Sequence, residues 1–365
     1  MSAGNSRGQT IVMLRGALPD YRSEILSLLC ERWGGRFRVY AGAQGFDPTA
    51  RTCVDIGSAL VHLENRFMLG RRLLWQRRAV RHLIGPDVAI LEYNPRILSV
   101  WVILLIRRSP RRRTILWGHA WARKGPKARS EGVRKVMRLL ADVVLVYTES
   151  QRRELATVMK ADRVVAAPNA LYRRRTMRPE VSKDISSVLY VGRLIEAKKP
   201  RLLLDAFLIG ITQGLPTDCR LVFLGAGPES ERLRAMVADV SEQVATRIEF
   251  VGHVPPSRVS KYYGAAMMSV SPGYVGLSIT QSLSFGVPMV IARDEPHSPE
   301  IEAAREGFNA VFVPSDDPLQ LATTLVRMAL DRARWIERRE EISRDCADRY
   351  SVEAMAAGIE RAVDA

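Results

Sequence analysis

Short apolar runs alternate along the chain with longer amphipathic stretches, and glycine and proline punctuate the joins. Residues 10–14 form the first apolar run, closed by Arg15 and Gly16. A helix with Ile25, Leu28 and Leu29 on one face follows, then a strand over 36–40. Strands are predicted again at 87–92, 114–117, 142–147 and 163–167, with Thr148 to Ser150 opening a helix of charged character. Residues 97–106 are apolar except for Ser99, too short for the ~18–20 residues a membrane span needs, so they read as a buried helix. Between Arg66 and Arg81, residues Leu69, Leu73, Leu74, Trp75 and Val80 fall largely to one side of a helix with arginines between them. That pattern predicts a basic amphipathic helix, lying either on the core or on an anionic membrane.

Residues 173–183 are polar, contain Pro179 and have no apolar period, which reads as a linker. The same rhythm then restarts, with strands at 187–191, 219–224, 247–251, 265–270 and 287–292. Helices are predicted through Leu202 to Phe207, over 229–240, over 318–328 and over 350–363. Two successions of alternating strands and helices predict an α/β chain of two doubly wound parallel-sheet (Rossmann-like) domains facing a cleft. The expected boundaries are 1–178, a linker at 179–186, 187–349, and a last helix over 350–365 packing back on the first domain.

Composition changes this picture in one respect. An apolar share of 47% with 26% charge is that of a packed globular chain and excludes disorder. The net charge of +16 is unevenly placed: residues 1–180 hold 34 Lys+Arg against 14 Asp+Glu, and residues 181–365 hold 21 against 25. A basic first half is drawn to a polyanion, such as anionic lipid head groups or nucleic acid. Five arginines lie within residues 107–113, but no nucleic-acid motif or stacking-aromatic pattern accompanies them, so nucleic acid is not the expected partner. The first residues lack the apolar core of a secretory signal. The four scattered cysteines, Cys30, Cys53, Cys219 and Cys346, fit a reduced, cytoplasmic compartment.

The candidate chemistry gathers after predicted strand ends, where open α/β sheets place their ligands. Residues 271–288 form a turn at Pro272 and Gly273, a helix from Leu277 closed by Gly286 and Pro288, and then a strand. The turn delivers the amides of Gly276, Leu277 and Ser278 to a helix N-terminus, which favours an anion; a plain crossover is the alternative. Gly192-Arg193 closes one strand, with Lys198 five residues after Arg193. Gly225 and Gly227 close another, with Ser230 rather than glycine at the third dinucleotide-binding position. In the first half, Gly16 stands alone after its strand and allows close backbone approach, and His119 lies just past the end of the strand over 114–117.

Taken together, these motifs resemble glycosyltransferase family 4. The match covers Gly192-Arg193-Leu194 with Lys198, residues 224–228, residues 251–254, the stretch 271–288, and residues 142–150 with Pro168-Asn169. It runs in order over almost the whole chain. The resemblance implies the GT-B architecture and metal-independent transfer of a sugar from a nucleotide-diphosphate donor with retained anomeric configuration. It implies that Arg193 and Lys198 carry the leaving diphosphate, with Gly16 and the amides of Gly276, Leu277 and Ser278. It places the backbone of Val254 beside the base, Gln281 at the ribose and His119 at the sugar hydroxyls. The departure is specific: the two glutamates of the family signature fall on Gly273 and Gln281. Asp294, Glu295 and His297, after the next strand, are candidates to replace the first. No metal or cofactor beyond the nucleotide sugar is expected. The expected partners are that donor, a glycan or lipid-linked acceptor, and an anionic membrane surface, with the protein cytoplasmic or peripheral on the inner membrane face. An inactive relative with a binding or regulatory role is the alternative.

Overall fold

The computed structural model describes residues 8–122, 125–180 and 182–365. The chain divides into two compact units, one running to Leu171 and including Val352–Ala365, the other Tyr172–Ser351.

In the first unit the strands are β1 (Ile11–Arg15), β2 (Phe37–Gly42), β3 (Leu60–Leu63), β4 (Asn65–Met68), β5 (Leu73–Gln76), β6 (Val88–Glu92), β7 (Arg113–Trp117), β8 (Val143–Val146) and β9 (Val164–Ala166). A seven-stranded parallel sheet runs in the order β3-β2-β1-β6-β7-β8-β9. Because successive side chains point to opposite faces, Ile11, Met13, Val88, Ile90, Ile115 and Trp117 enter one core layer, and Val12, Leu14, Ala89, Leu91 and Leu116 enter the other. The helix Ser23–Trp33 and the terminal helix Val352–Asp364 fill the first layer through Ile25, Leu29, Met355 and Ile359. The helix Leu98–Ile106 buries Val100, Ile103 and Leu104 in the second.

The segment expected as a basic amphipathic helix over 66–81 is instead an antiparallel hairpin of β4 and β5, followed by a short helix, Ala79–Leu83. The chain turns on Leu69, Gly70 and Arg71, with φ of 51°, 58° and 64°, so no helix passes through them. Burial alternates along β5, with Leu74 and Gln76 inside, which is a strand period. The arginines of 107–113 also divide by role. Arg107 is 1% exposed and donates to the carbonyls of Leu83, Pro86, Asp87 and Arg113 at 2.7–3.1 Å, and to Thr114 Oγ1 at 3.1 Å. It is a structural clamp, and burial pulls its pKa down to about 10.

The second unit holds β10 (Ser187–Val191), β11 (Arg220–Leu224), β12 (Ile248–Gly252), β13 (Ala266–Ser271), β14 (Met289–Ala292) and β15 (Ala310–Val313), in a parallel sheet ordered β12-β11-β10-β13-β14-β15. The helices Pro200–Thr212 and Pro318–Leu330 bury Leu203, Phe207, Leu321 and Leu325 against one face of this sheet. Residues 182–186, expected as linker, are tied into this unit: the amides of Ser182 and Ser186 donate to the carbonyls of Gly264 and Ala265 at 3.2 and 3.1 Å. Both sheets therefore reverse their strand order once, at β1/β6 and at β10/β13. A crevice opens outside the strand C-termini at such a switch point.

Candidate functional site

In the second unit the switch point brings together the ends of β10 and β13, which carry Gly192-Arg193 and Pro272-Gly273. The loop after β10 packs on the loop after β11. Gly192 and Leu194 donate to the carbonyls of Leu224 and Ala226 at 2.9 and 3.0 Å. A Cβ on Gly225 would lie 1.9 Å from Gly192 O, and one on Gly227 would lie 2.2 Å from Leu194 O. The two glycines thus serve loop-on-loop packing, which explains a G-x-G without the third glycine of a dinucleotide fingerprint. From this braced loop Arg193 projects to the surface, its carbonyl accepting a 2.9 Å hydrogen bond from Tyr190 Oη.

Lys198 ends a short helical turn, Glu196–Lys198, and its Nζ donates to the carbonyl of Tyr274 at 3.0 Å. Burial, and then the charge of Arg193, lower its pKa. The half-buried Lys198 thus stands within electrostatic reach of the exposed Arg193, an arrangement that an anion relieves. Lys199, beside it, is turned away and neutralised by Glu295 and Asp316 at 2.5 and 2.6 Å.

The turn after β13 interlocks with the same loop. Tyr274 N donates to Ala197 O at 3.2 Å, and a Cβ on Gly273 would lie 2.7 Å from Ala197 O and 2.9 Å from Lys198 C. No side chain fits at Gly273 while the Lys198 loop stands where it does. The helix that follows is Ser278–Ser284, and its first bond, Ile279 N to Gly276 O at 3.3 Å, leaves the amides of Gly276, Leu277 and Ser278 at its start. Val275 N donates to His297 Nδ1 at 3.1 Å, and His297 Nε2 lies 2.7 Å from Ala292 O. With Nδ1 accepting, Nε2 carries the proton, and burial lowers the pKa of His297. Of the three candidates after β14, His297 buttresses the turn, Glu295 is paired with Lys199, and Asp294 is exposed.

Gln281 does not reach outward as a ribose ligand in this structure. Its Nε2 donates to Tyr172 Oη at 2.8 Å and its Oε1 accepts from Tyr263 Oη at 3.5 Å, beside Phe285, which stacks on the Tyr263 ring and meets Tyr172 edge-on. Val254 follows β12 and is half-buried against the cluster around Leu189, Leu224 and Tyr263.

In the first unit, Gly16 N donates to Glu92 Oε2 at 2.8 Å, so the amide expected to meet a diphosphate already serves a carboxylate. The hairpin fixes this turn: Asn65 Nδ2 donates to Gly16 O at 2.8 Å and Gln76 Nε2 to Arg15 O at 3.0 Å. His119 lies exposed past β7, edge-on to Tyr147 at 4.8 Å. Sequence reasoning missed Tyr172, Tyr263 and Tyr274, because their contacts come from distant elements. No group of three or more His, Cys, Asp or Glu side chains able to hold a metal ion occurs among the described residues.

Two doubly wound parallel α/β units in succession, with the last helix returned to the first, make this a chain of the GT-B architecture. Residues 186–331, which carry the Arg193–Lys198 loop and the 271–288 turn, match the family model described as glycosyl transferases group 1. The chain is 30% identical over 210 residues to a D-inositol 3-phosphate glycosyltransferase of Acidothermus cellulolyticus, a match covering 52% of this chain and 46% of that protein's length. Its fold is similar to Anabaena HepE solved with UDP (TM-score 0.68, 14% identity, 97% of this chain and 99% of that one). It is also similar to sucrose-phosphate synthase of Thermosynechococcus elongatus (0.62, 18%, 97% and 98%) and to the lipopolysaccharide outer core galactosyltransferase WaaB (0.66, 14%, 97% and 98%).

Proposed function

We propose that this protein is a retaining glycosyltransferase that moves a sugar from a nucleotide-diphosphate donor to a glycan or lipid-linked glycan acceptor. The observation that carries the reading is the pair Arg193 and Lys198 at the switch point of the second sheet, with the pKa of Lys198 lowered by burial and by Arg193. Transfer must carry two negative charges onto a leaving diphosphate. A planar guanidinium fork and a compact ammonium stabilise that charge where it develops, and the amides of Gly276 to Ser278 add to it. In a same-face displacement the C1–O bond to the diphosphate breaks as the acceptor oxygen bonds C1, and the leaving phosphate oxygen takes the acceptor's proton. His119 is assigned to positioning the sugar hydroxyls, and no metal ion has a step. HepE has been solved with UDP, with UDP and glucose, and with UDP-glucose, which favours a uridine nucleotide as the first donor to try.

A membrane-facing acceptor is supported by the first unit's surface. The helix Glu131–Leu140 exposes Val133, Val136 and Leu139, and the helix Leu98–Ile106 ends in exposed Leu105 and Ile106. Arg108, Arg111 and Lys135 are exposed beside these residues in sequence. Among the described residues no helix is long and apolar enough to cross a membrane. The test is calorimetry and turnover with a panel of nucleotide sugars. Binding and release of sugar or transfer supports the reading, and neither binding nor turnover with any donor overturns it. A second reading, binding without turnover, is favoured by Gly273, where no side chain fits, and by Gln281, whose amide is engaged by two tyrosines. Tight nucleotide binding with no turnover would select it.

A further inference from the structure

Arg22 ends the turn before the helix Ser23–Trp33, at the C-terminal edge of the first unit's sheet, and is 6% exposed. Among the described residues its guanidinium meets rings alone, with no hydrogen bond or ion pair. Its Cζ lies 4.9 Å from the Trp117 ring centroid, 5.6 Å from Tyr147 and 5.0 Å from Tyr21. Trp117 is the last residue of β7 and Tyr147 follows β8, so these rings line the strand ends. The same indole carries a second cation, Arg15 at 4.8 Å, which also hydrogen-bonds Tyr147. The buried Nε1–H of Trp117 has no acceptor. Of the nearby acids, Glu92 is engaged by Gly16 and bears on Arg15, and the Asp20 carboxylate accepts from Tyr21 N at 2.8 Å. The ring faces offset part of the cost of drying Arg22, but no counter-charge completes it.

We propose that Arg22, backed by Arg15 and the Trp117 and Tyr147 rings, binds a phosphate group of the acceptor. The word acceptor rests on the transferase reading; the phosphate site does not. The group is a soluble phosphate monoester or the phosphate of a lipid head group. Chemistry common to both is a tetrahedral anion that a buried fork engages with two parallel hydrogen bonds.

Full-length protein is titrated with inorganic phosphate at constant ionic strength against chloride, in an Arg193→Ala, Lys198→Ala background that removes both cations of the second unit's turn. Phosphate should bind and raise the melting midpoint, and Arg22→Met should weaken binding at least tenfold, with Arg22→Lys between the two. Without phosphate the Arg22→Met midpoint should equal or exceed that of its parent, since an uncompensated buried charge has been removed. Unchanged phosphate binding in Arg22→Met, or an equal response to chloride, overturns the proposal, as does a midpoint that falls without phosphate. Sedimentation with phosphatidylcholine vesicles, with and without phosphatidylglycerol, separates the sources. A tenfold loss of anionic-vesicle binding in Arg22→Met selects a lipid head group, and loss of the phosphate response alone selects a soluble ester. UDP binding is measured alongside. Its absence from the wild-type chain removes the donor reading while an Arg22-dependent phosphate response still stands.

Discussion

Placing at Gly273 the glutamate that the resemblance to glycosyltransferase family 4 expects there should fail, and for a reason that has nothing to do with charge. The backbone at Gly273 is not in the left-handed region, so φ does not forbid another residue. Space does. A Cβ there would stand 2.7, 2.9 and 3.0 Å from Ala197 O, Lys198 C and Lys198 Cα. Ordinary separation is about 3.5 Å, so the two loops must part by roughly 0.5–0.8 Å. The neighbours are backbone atoms braced by the 225–227 loop, and they cannot rotate away. Overpacking of this kind costs about 1–3 kcal/mol, offset by the ~0.4–1 kcal/mol that a glycine replacement takes from the unfolded chain. A unit of this size should then melt about 2–8 °C lower. Gly273→Ala carries the whole steric term, so it should fall as far as Gly273→Glu. Both should also lose nucleotide affinity, because the shift breaks the 3.0 Å bond from Lys198 Nζ to Tyr274 O. Differential scanning calorimetry and UDP titration read both effects. If Gly273→Glu melts with the wild type and turns over a donor faster, the loop is not where this reasoning puts it.

Arg193→Ala should weaken nucleotide-diphosphate binding at least tenfold and abolish transfer while leaving the melting midpoint nearly unchanged, because the side chain is exposed; transfer at the wild-type rate would remove the assignment. His297 has a lowered folded pKa, so the unfolded chain binds the proton more readily than the native one. Its contribution is complete above the ordinary imidazole value of 6.5 and is lost as pH falls from there through the folded value. Urea titrations at pH 5 and 7.5 should therefore show a stability loss in acid that His297→Gln lacks, and equal slopes in both proteins would refute this. Arg107→Met should destabilise the first unit by about 1–3 kcal/mol or more, since it strips a donor from four carbonyls and Thr114. Arg107→Lys should not rescue it, because one ammonium has three donors for five acceptors. A chain that unfolds at the wild-type urea concentration would show the clamp to be dispensable.

The doubly wound rhythm was legible because parallel strands buried on both faces are short, continuous apolar runs, as at 11–14, 88–91, 143–146 and 289–292. The turn residues that follow them were legible for the same reason, since Arg193, Gly225 and Gly273 stand where an apolar run stops. The stretch 66–81 misled because Leu69, Leu73 and Leu74 fit a helical face as well as a strand face. Gly70 and the positive φ of its neighbours decided it, and only glycine showed in the residues. Two kinds of fact were out of reach. One is the partner supplied by a distant element, as when Tyr172 takes Gln281 across 109 positions. The other is close backbone approach, as at Gly273. The separation of the clamp Arg107 and the ring-held Arg22 from the exposed arginines also needed coordinates, since only burial distinguishes them.

These facts bear on Gly273 and Gln281, the two positions where the resemblance expects glutamates. A carboxylate lost from an otherwise open position leaves a gap that water or another acid can fill. At Gly273 there is no gap, because the Lys198 loop closes on the turn and Lys198 Nζ takes a carbonyl there as its acceptor. At Gln281 the amide donates to Tyr172 Oη and accepts from Tyr263 Oη, whereas a carboxylate would accept from both and require Tyr172 to turn its hydroxyl proton toward it. On the proposed function, the cationic end of the site keeps Arg193 and Lys198, and its sugar end carries neither carboxylate. A donor whose sugar needs no carboxylate partner, or an acceptor that brings its own negative charge to the first unit, is the chemistry such a site suits.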